Sequence, residues 1–226
     1  GYTCGDLFFQ PALLSAAENA VGDILNRTPD INALILIGVP VVVRSSIYNC
    51  AAVCWRGKLL GLVPKSNLPS HAEFNESRYF APATDDAEEL IYAGQYTEMN
   101  RNRIFKCRTV PDFRLGVEIC EDLWSSSQPS QKLAEAGATV IANLAASTES
   151  IGKPDYRRHL VNMQSARLIC AYIFANSGHG ESTTDLVFSG HNIISENGTT
   201  LCESNRFTTG LIYSEIDLKH LAYDRH

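Results

Sequence analysis

No apolar run in this 226-residue chain approaches the roughly 18 residues that a helical membrane span needs. The longest, 33–43, is interrupted by Gly38 and Pro40. Basic charge is also in short supply. Nineteen Lys and Arg stand against 25 Asp and Glu, for a net charge of −6 with no long basic stretch. That balance argues against nucleic acid or an anionic membrane as the main partner. The seven cysteines, at 4, 50, 54, 107, 120, 170 and 202, form no C-x-x-C pair, and Cys50 and Cys54 are too far apart for one. No cysteine or histidine spacing matches a zinc site either. An odd, scattered set on apolar segments implies reduced thiols, a cytoplasmic compartment and no metal. A G-x-S-x-G turn is missing, so Ser177-Gly178-His179 does not amount to a serine-hydrolase signature. A glycine-rich phosphate loop is missing as well. Without a low-complexity linker or internal repeat, residues 1–226 read as one domain. The chain opens on G-Y-T-C, with no Met and no signal peptide, and reads as a piece of a longer polypeptide.

What is present is ordinary for a globular α/β chain: 45% hydrophobic and 19% charged residues, enough for a substantial core. Asp6 can cap a first turn and Pro11 suits an early helical position. Apolar residues at Leu13, Leu14, Ala17, Ala20, Val21, Ile24 and Leu25 then recur at helical spacing, and the helix stops near Asn26. A buried strand is predicted at 33–37, with a loop around Val39–Pro40. Residues 49–55 and 58–63 make a hairpin across Arg56-Gly57. The stretch 64–80 has no clean period and reads as a long functional loop with a little helix; 80–103 reads as an exposed excursion with one short strand.

Strands are then expected at 103–107, 114–119, 139–144 and 171–176, with helices at 129–136, ended by Gly137, and at 155–169. The second helix gathers Leu160, Val161, Met163 and Leu168 on one face. Residues 178–185 form a polar loop. A second hairpin at 191–195 and 199–203 turns on Asn197-Gly198, and 210–216 is the last strand. Tight turns between strands imply mixed sheets covered by helices.

The stretch 115–124, L-G-V-E-I-C-E-D-L-W, draws the chemistry together. A buried strand ends on Cys120, with Glu121 and Asp122 directly after it, and α/β chains place their chemistry where strands run into loops. A free cysteine in an apolar strand is most often a core residue, but two adjacent acids are not needed for packing. Lys65 follows a second strand in V-P-K-S-N-L-P, between prolines at the mouth of the aromatic-rich loop. A third strand runs into N-L-A-A-S-T-E-S-I-G-K at 143–153. There Ser147 can hydrogen-bond a ligand and Lys153 can pair with a carboxylate. In isolation these would be a capping serine and surface lysines.

Taken together, G-V-E-I-C-E-D-L-W, V-P-K-S-N-L-P…E-F-N-E-S-R-Y-F and N-L-A-A-S resemble the nitrilase superfamily of carbon–nitrogen hydrolases. More narrowly, G-H-G-E-S-T-T-D-L-V-F-S-G-H-N at 178–192, E-N-G at 196–198 and the opening G-Y-T-C-G-D-L-F are similar to the family of glutamine-dependent NAD synthetases. The resemblance implies the four-layer α-β-β-α sandwich of the superfamily, with mixed sheets. It also implies a Glu-Lys-Cys catalytic set. Cys120 takes the nucleophile's place and Lys65 the lysine's, while the general-base glutamate falls upstream of Gly1 together with the first strand. Amide hydrolysis would then run through a cysteine thioester. The positive charge of Lys65 would favour the thiolate and, with a backbone N–H, the oxyanion.

Ser147 and Lys153 match the glutamine-binding serine and its basic partner; Tyr2, Glu121 and Trp124 would complete the pocket. His71 stands where tyrosine is usual, leaving an imidazole in place of a phenol. Of Glu73 and Glu76, one is an auxiliary acid beside Lys65, or both belong to a solvated face.

The implied substrate is L-glutamine. Its ammonia would go to a synthetase domain of the same polypeptide, absent from this sequence, which uses ATP, Mg and deamido-NAD. A homo-oligomer is expected, with no cofactor in this domain, and the fragment is expected to be nearly inactive without its base. Competing readings are another amidase of the superfamily, such as an ω-amidase or N-carbamoyl amidase, and a catalytically inactive docking module.

Overall fold

A computed structural model describes residues 2–225, which fall into two compact units: one of residues 4–102, the other of 103–225 with the first residues of the chain.

The first unit is built on α1 (Pro11–Arg27) and a five-stranded mixed sheet. Its strands are β1 (Leu34–Val43), β2 (Ser46–Trp55), β3 (Lys58–Pro64), β4 (Glu88–Tyr92) and β5 (Gln95–Met99), in the order β1-β2-β3-β5-β4. Val21 and Leu25 of α1 pack on Val39, Val41, Cys50, Ala52, Cys54, Leu62 and Met99, and so cover one face. Pro11 opens the helix as expected. Asp6 does not cap it; its carboxylate holds Arg78 at 2.9 Å instead.

Two sequence expectations are corrected here. β1 runs straight through Val39–Pro40, with Pro40 opposite Asn49. β1 is an edge strand, where a residue lacking an N–H is tolerated. The 80–103 excursion is a hairpin that belongs to the sheet, β5 lying parallel to β3. Its turn, Ala93-Gly94, takes φ of 51° and 72°, the left-handed pair that suits a twisted two-residue connection.

The second unit carries a six-stranded mixed sheet in the order β11-β10-β9-β8-β7-β6. Its strands are β6 (Phe105–Lys106), β7 (Arg114–Ile119), β8 (Val140–Ala145), β9 (Ala171–Asn176), β10 (Ile193–Glu196) and β11 (Thr199–Glu203). The central strands β7, β8 and β9 are parallel and near-continuously apolar, as strands covered on both faces must be. Helices α2 (Glu121–Trp124) and α3 (Pro129–Glu135) lie against β7, and α4 (Lys153–Leu168) against β9–β11.

The buried face of α4 differs from expectation. Met163 is exposed, and Arg157, Val161, Gln164 and Ser165 point inward, because polar partners await them there. Residues 210–216 form no strand: Leu211 and Tyr213 lie open to solvent with no sheet neighbour, and the chain then closes on α5 (Leu218–Asp224). A single sequence shows alternation but not the neighbouring edge that turns alternation into a strand.

Candidate active site

β7 ends at Ile119, and Cys120 turns the chain into α2 with φ 47° and ψ −101°. A residue with a Cβ adopts that region at a cost of about 1–3 kcal/mol, so surrounding structure must impose it. Here it does. The Cys120 N–H is shared between the Asn143 side-chain oxygen at 2.8 Å and the Leu144 carbonyl at 3.1 Å. The carbonyl of Cys120 accepts from Leu123 N–H at 3.1 Å, and the buried Asp122 carboxylate accepts from Ile119 N–H at 3.0 Å. The thiol thus stands on a sharp strand-to-helix turn, the geometry that presents a nucleophile.

Beneath the turn lies Glu118, 1% exposed. It accepts from the Tyr172 hydroxyl and, at 2.9 Å, from Ser130 N–H at the start of α3. Tyr172 in turn accepts from Asn143 Nδ2 at 3.1 Å. Burial raises the Glu118 carboxyl to about 7, assisted by the charge of Asp122 and resisted by the hydrogen bonds from Tyr172 and Ser130.

A second group gathers where β8 runs out. Ser147 is buried; its N–H donates to Asn176 Oδ1 at 2.8 Å, and its carbonyl accepts from Asn176 Nδ2 at 3.1 Å. The fully buried Arg157 of α4 donates to Ser147 Oγ at 3.2 Å, to the Thr148 carbonyl at 2.9 Å, to Glu149 at 3.3 Å and to His191 Nδ1 at 2.7 Å. His191 therefore accepts through Nδ1 and donates through Nε2 to Glu203. Burial lowers its pKa, which keeps it neutral between an arginine and a glutamate. Burial also lowers the pKa of Arg157, while the charges of Glu149 and Cys120 act the other way. A cationic guanidinium and a thiolate at Cys120 therefore favour one another.

Lys153, the first residue of α4, holds its ammonium 4.2 Å from the Trp124 ring centroid. Trp124 stacks on Tyr156 at 5.4 Å and 17°. The stack fixes the otherwise flexible lysine by a cation–π contact. Glu121, half-buried, opens α2 directly after the cysteine. Tyr2 is half-buried, and its neighbour Thr3 donates to Glu181 at 3.2 Å.

In the other unit, Lys65 is 1% exposed and ion-paired with Glu76, itself 2% exposed. Asn49 donates to the second Glu76 oxygen at 2.6 Å. The lysine's backbone is pinned by Asn49 O at 2.8 Å and Ala83 N at 2.9 Å. Glu76 is thus the acid beside Lys65, and Glu73 is exposed. His71 is exposed too, its ring edge-on to Phe74 at 6.0 Å.

Of the residues predicted from sequence, the second unit carries Cys120, Glu121, Trp124, Ser147, Lys153 and Tyr2; the first carries Lys65 and His71. Glu118, Asn143, Tyr172, Arg157, Asn176 and His191 were not singled out as site residues. A charged residue inside the apolar run L-G-V-E-I was the available signal for Glu118. Arg157, four residues after Lys153, lay one helical turn away on the same side. Among the described residues, no cluster of His, Cys, Asp or Glu is arranged to hold a metal ion.

An α/β fold with mixed sheets and a cysteine on a strand-to-helix turn defines a class of hydrolase, and residues 1–225 match the carbon–nitrogen hydrolase family model. The chain belongs to that family. It is 41% identical, over 218 residues, to the glutamine-dependent NAD(+) synthetase of Mycobacterium tuberculosis, covering 96% of this chain and 32% of the relative. The enzyme of the same name from Thermotoga maritima is 28% identical over 220 residues, covering 96% and 34%. The chain therefore spans about a third of the length of these relatives.

Among solved structures, the glutamine-dependent NAD(+) synthetase of Cytophaga hutchinsonii superposes with a TM-score of 0.77 at 24% identity, over 92% of this chain and 33% of that one. A carbon–nitrogen hydrolase from Helicobacter pylori G27 gives 0.76 at 17% identity, over 100% and 76%. These likenesses show the fold, which with the family match is that of the nitrilase superfamily.

Proposed function

We propose that this chain is a glutaminase unit: it cleaves the side-chain amide of L-glutamine through a thioester on Cys120. The ammonia would serve ATP-dependent amidation of deamido-NAD elsewhere in a longer polypeptide. The observation that carries the reading is the pairing, in one unit, of a strained Cys120 turn with a lysine fixed over an aromatic stack. Glutamine carries an α-carboxylate, an α-ammonium and a neutral amide. Lys153 suits the carboxylate, Glu121 the ammonium, and Ser147, braced by Arg157 and Asn176, offers a polar anchor.

The thiolate attacks the amide carbon, and backbone N–H groups of the turn meet the tetrahedral oxyanion; the family resemblance assigns Lys65 to the same reaction. The Lys65 ammonium is ion-paired with Glu76. The base that takes the thiol proton and hands it to departing ammonia would be the glutamate of the Glu-Lys-Cys set that the resemblance implies, which no residue of this sequence matches. The deciding measurement for residues 1–226 is therefore covalent trapping rather than turnover. A glutamine analogue bearing an electrophilic carbon at the amide position should label Cys120 by mass spectrometry, and free glutamine should protect it. Labelling protected by N-carbamoyl amino acids but not by glutamine would assign the chain to another amidase of the superfamily. No labelling at Cys120 would leave a docking module.

A further inference from the structure

The search for chemistry beyond this reading leads to the buried acid beneath the nucleophile turn. Glu118 and Asn143 are opposite each other in the parallel register of β7 and β8. Tyr172 lies on β9, opposite Ile141, one alternate position back from Asn143. All three are at most 1% exposed and are joined in one unbroken chain of hydrogen bonds. It runs from the Glu118 carboxylate through the Tyr172 hydroxyl and the Asn143 amide to the Cys120 N–H. A glutamate and a tyrosine hydroxyl in the centre of an apolar sheet are costly to bury, and packing alone would be served by apolar residues.

The chain has a direction. Both Glu118 oxygens face donors, Tyr172 O–H and Ser130 N–H, so the ionised carboxylate draws the tyrosine hydrogen toward itself. That leaves the tyrosine oxygen to accept from the Asn143 NH₂. The asparagine is thereby held with its oxygen, not its nitrogen, toward Cys120 N–H. The opposite orientation would set an NH₂ against an N–H and break the contact that helps hold φ at 47°.

We propose that Glu118, acting through Tyr172 and Asn143, is a positioning residue that fixes the Cys120 turn in its attacking geometry. It touches no substrate, and its role rests on the reading of Cys120 as the nucleophile. Around Glu118, α2 contributes Asp122 and β9 contributes Tyr172, with Cys170 just ahead of that strand. Toward the same end, α3 presents Ser130, bonded in turn to Gln164 of α4, and β8 presents Asn143.

The test follows iodoacetamide alkylation of Cys120 by mass spectrometry on residues 1–226, from pH 5.5 to 9, with folding checked by circular dichroism. Tyr172→Phe and Glu118→Gln should each slow alkylation about tenfold while the protein stays folded. The double variant should be no slower than either single one, because both break the same chain. The wild-type rate should also carry a step near pH 7, from Glu118 ionisation, that Glu118→Gln abolishes. Folded variants that alkylate at the wild-type rate, or single effects that multiply in the double variant, would overturn the proposal. If Glu118→Gln does not fold, the Tyr172→Phe rate decides alone. A wild-type Cys120 that reacts no faster than Cys107 would instead sink the nucleophile reading, an outcome distinct from either of these.

Discussion

Lys153 and Glu118 show how much depends on what surrounds a single charge. Lys153 holds its ammonium over the Trp124 ring of the Trp124–Tyr156 stack, an arrangement suited to a ligand carboxylate. Lys153→Ala should raise the glutamine concentration that half-protects Cys120 from alkylation by roughly tenfold to a hundredfold, the value of a lost charged hydrogen bond. Alkylation without glutamine should stay nearly unchanged, since the proposed activating charge is that of Lys65. A Lys153→Ala protein that binds glutamine normally but no longer alkylates would exchange the roles of the two lysines.

Glu118 behaves differently because it is sealed. Its carboxyl is raised from about 4.5 to about 7 on folding, mainly by burial. Between those values the folded protein binds more protons than the unfolded chain, so this group makes stability fall as pH rises through the window. Above pH 7 its effect is constant, on the order of 3 kcal/mol against the fold by that shift. Chemical denaturation of wild type and Glu118→Gln at pH 5 and pH 7.5 should show the wild type losing more stability between the two. An equal loss in both proteins would mean that other groups set the pH dependence.

Elements carry the site only as well as they pack on one another. Leu133 of α3 and Ile141 of β8 crowd β7 so closely that a Cβ on Gly116 would come within 3.1 Å of Leu133 and 2.9 Å of Ile141 Cδ1. Gly116→Ala should therefore cost about 1–3 kcal/mol by overpacking. Because α3 delivers Ser130 N–H to Glu118, the same variant should slow Cys120 alkylation. Urea titration beside the alkylation rate checks both, and unchanged stability would mean that α3 yields without strain.

A buried ion pair helps to hold the loop after β3. Glu76→Ala removes one buried partner of the Lys65 ammonium. Glu76→Ala should cost roughly 3–5 kcal/mol, whereas the exposed Asp6–Arg78 pair should be almost neutral to disruption. Comparing the urea midpoints of Glu76→Ala and Asp6→Ala would separate these two kinds of ion pair.

Across the whole molecule, the seven cysteines divide by environment. Burial raises Cys54 to about 11 and Cys170 to about 12, and pushes Cys50 higher still, so all three stay protonated and inert at neutral pH. Cys107 is half-exposed, and hydrogen bonds from Thr109 lower its pKa. A thiol-disulfide reagent at pH 8 should label Cys107 within the native protein and reach Cys50, Cys54 and Cys170 only after denaturation. Rapid native labelling of those three would show that the cores of the two units open readily. Among the described residues, no helix is long and apolar enough to cross a membrane.

Local physics was legible in the letters of the chain. Periodicity, turn dipeptides and helix punctuation located α1, β7, β9 and the hairpins at Arg56-Gly57 and Asn197-Gly198, because those signals are written within a few consecutive residues. Cys120 was legible because acids directly after an apolar strand have no packing reason to be there. What stayed hidden needed neighbours far off in sequence. β1 runs past Pro40 because it is an edge, and 210–216 fails as a strand because no edge receives it. The helix α4 turns Arg157 inward because Ser147 and Glu149 of the loop after β8, and His191 from a second segment, offer it acceptors. Sequence alone determined which residues could do chemistry. Only the register of β7, β8 and β9 decided that Glu118, Tyr172 and Asn143 would form one hydrogen-bonded line to the cysteine, since a buried polar group is tolerable only where the fold supplies its partner.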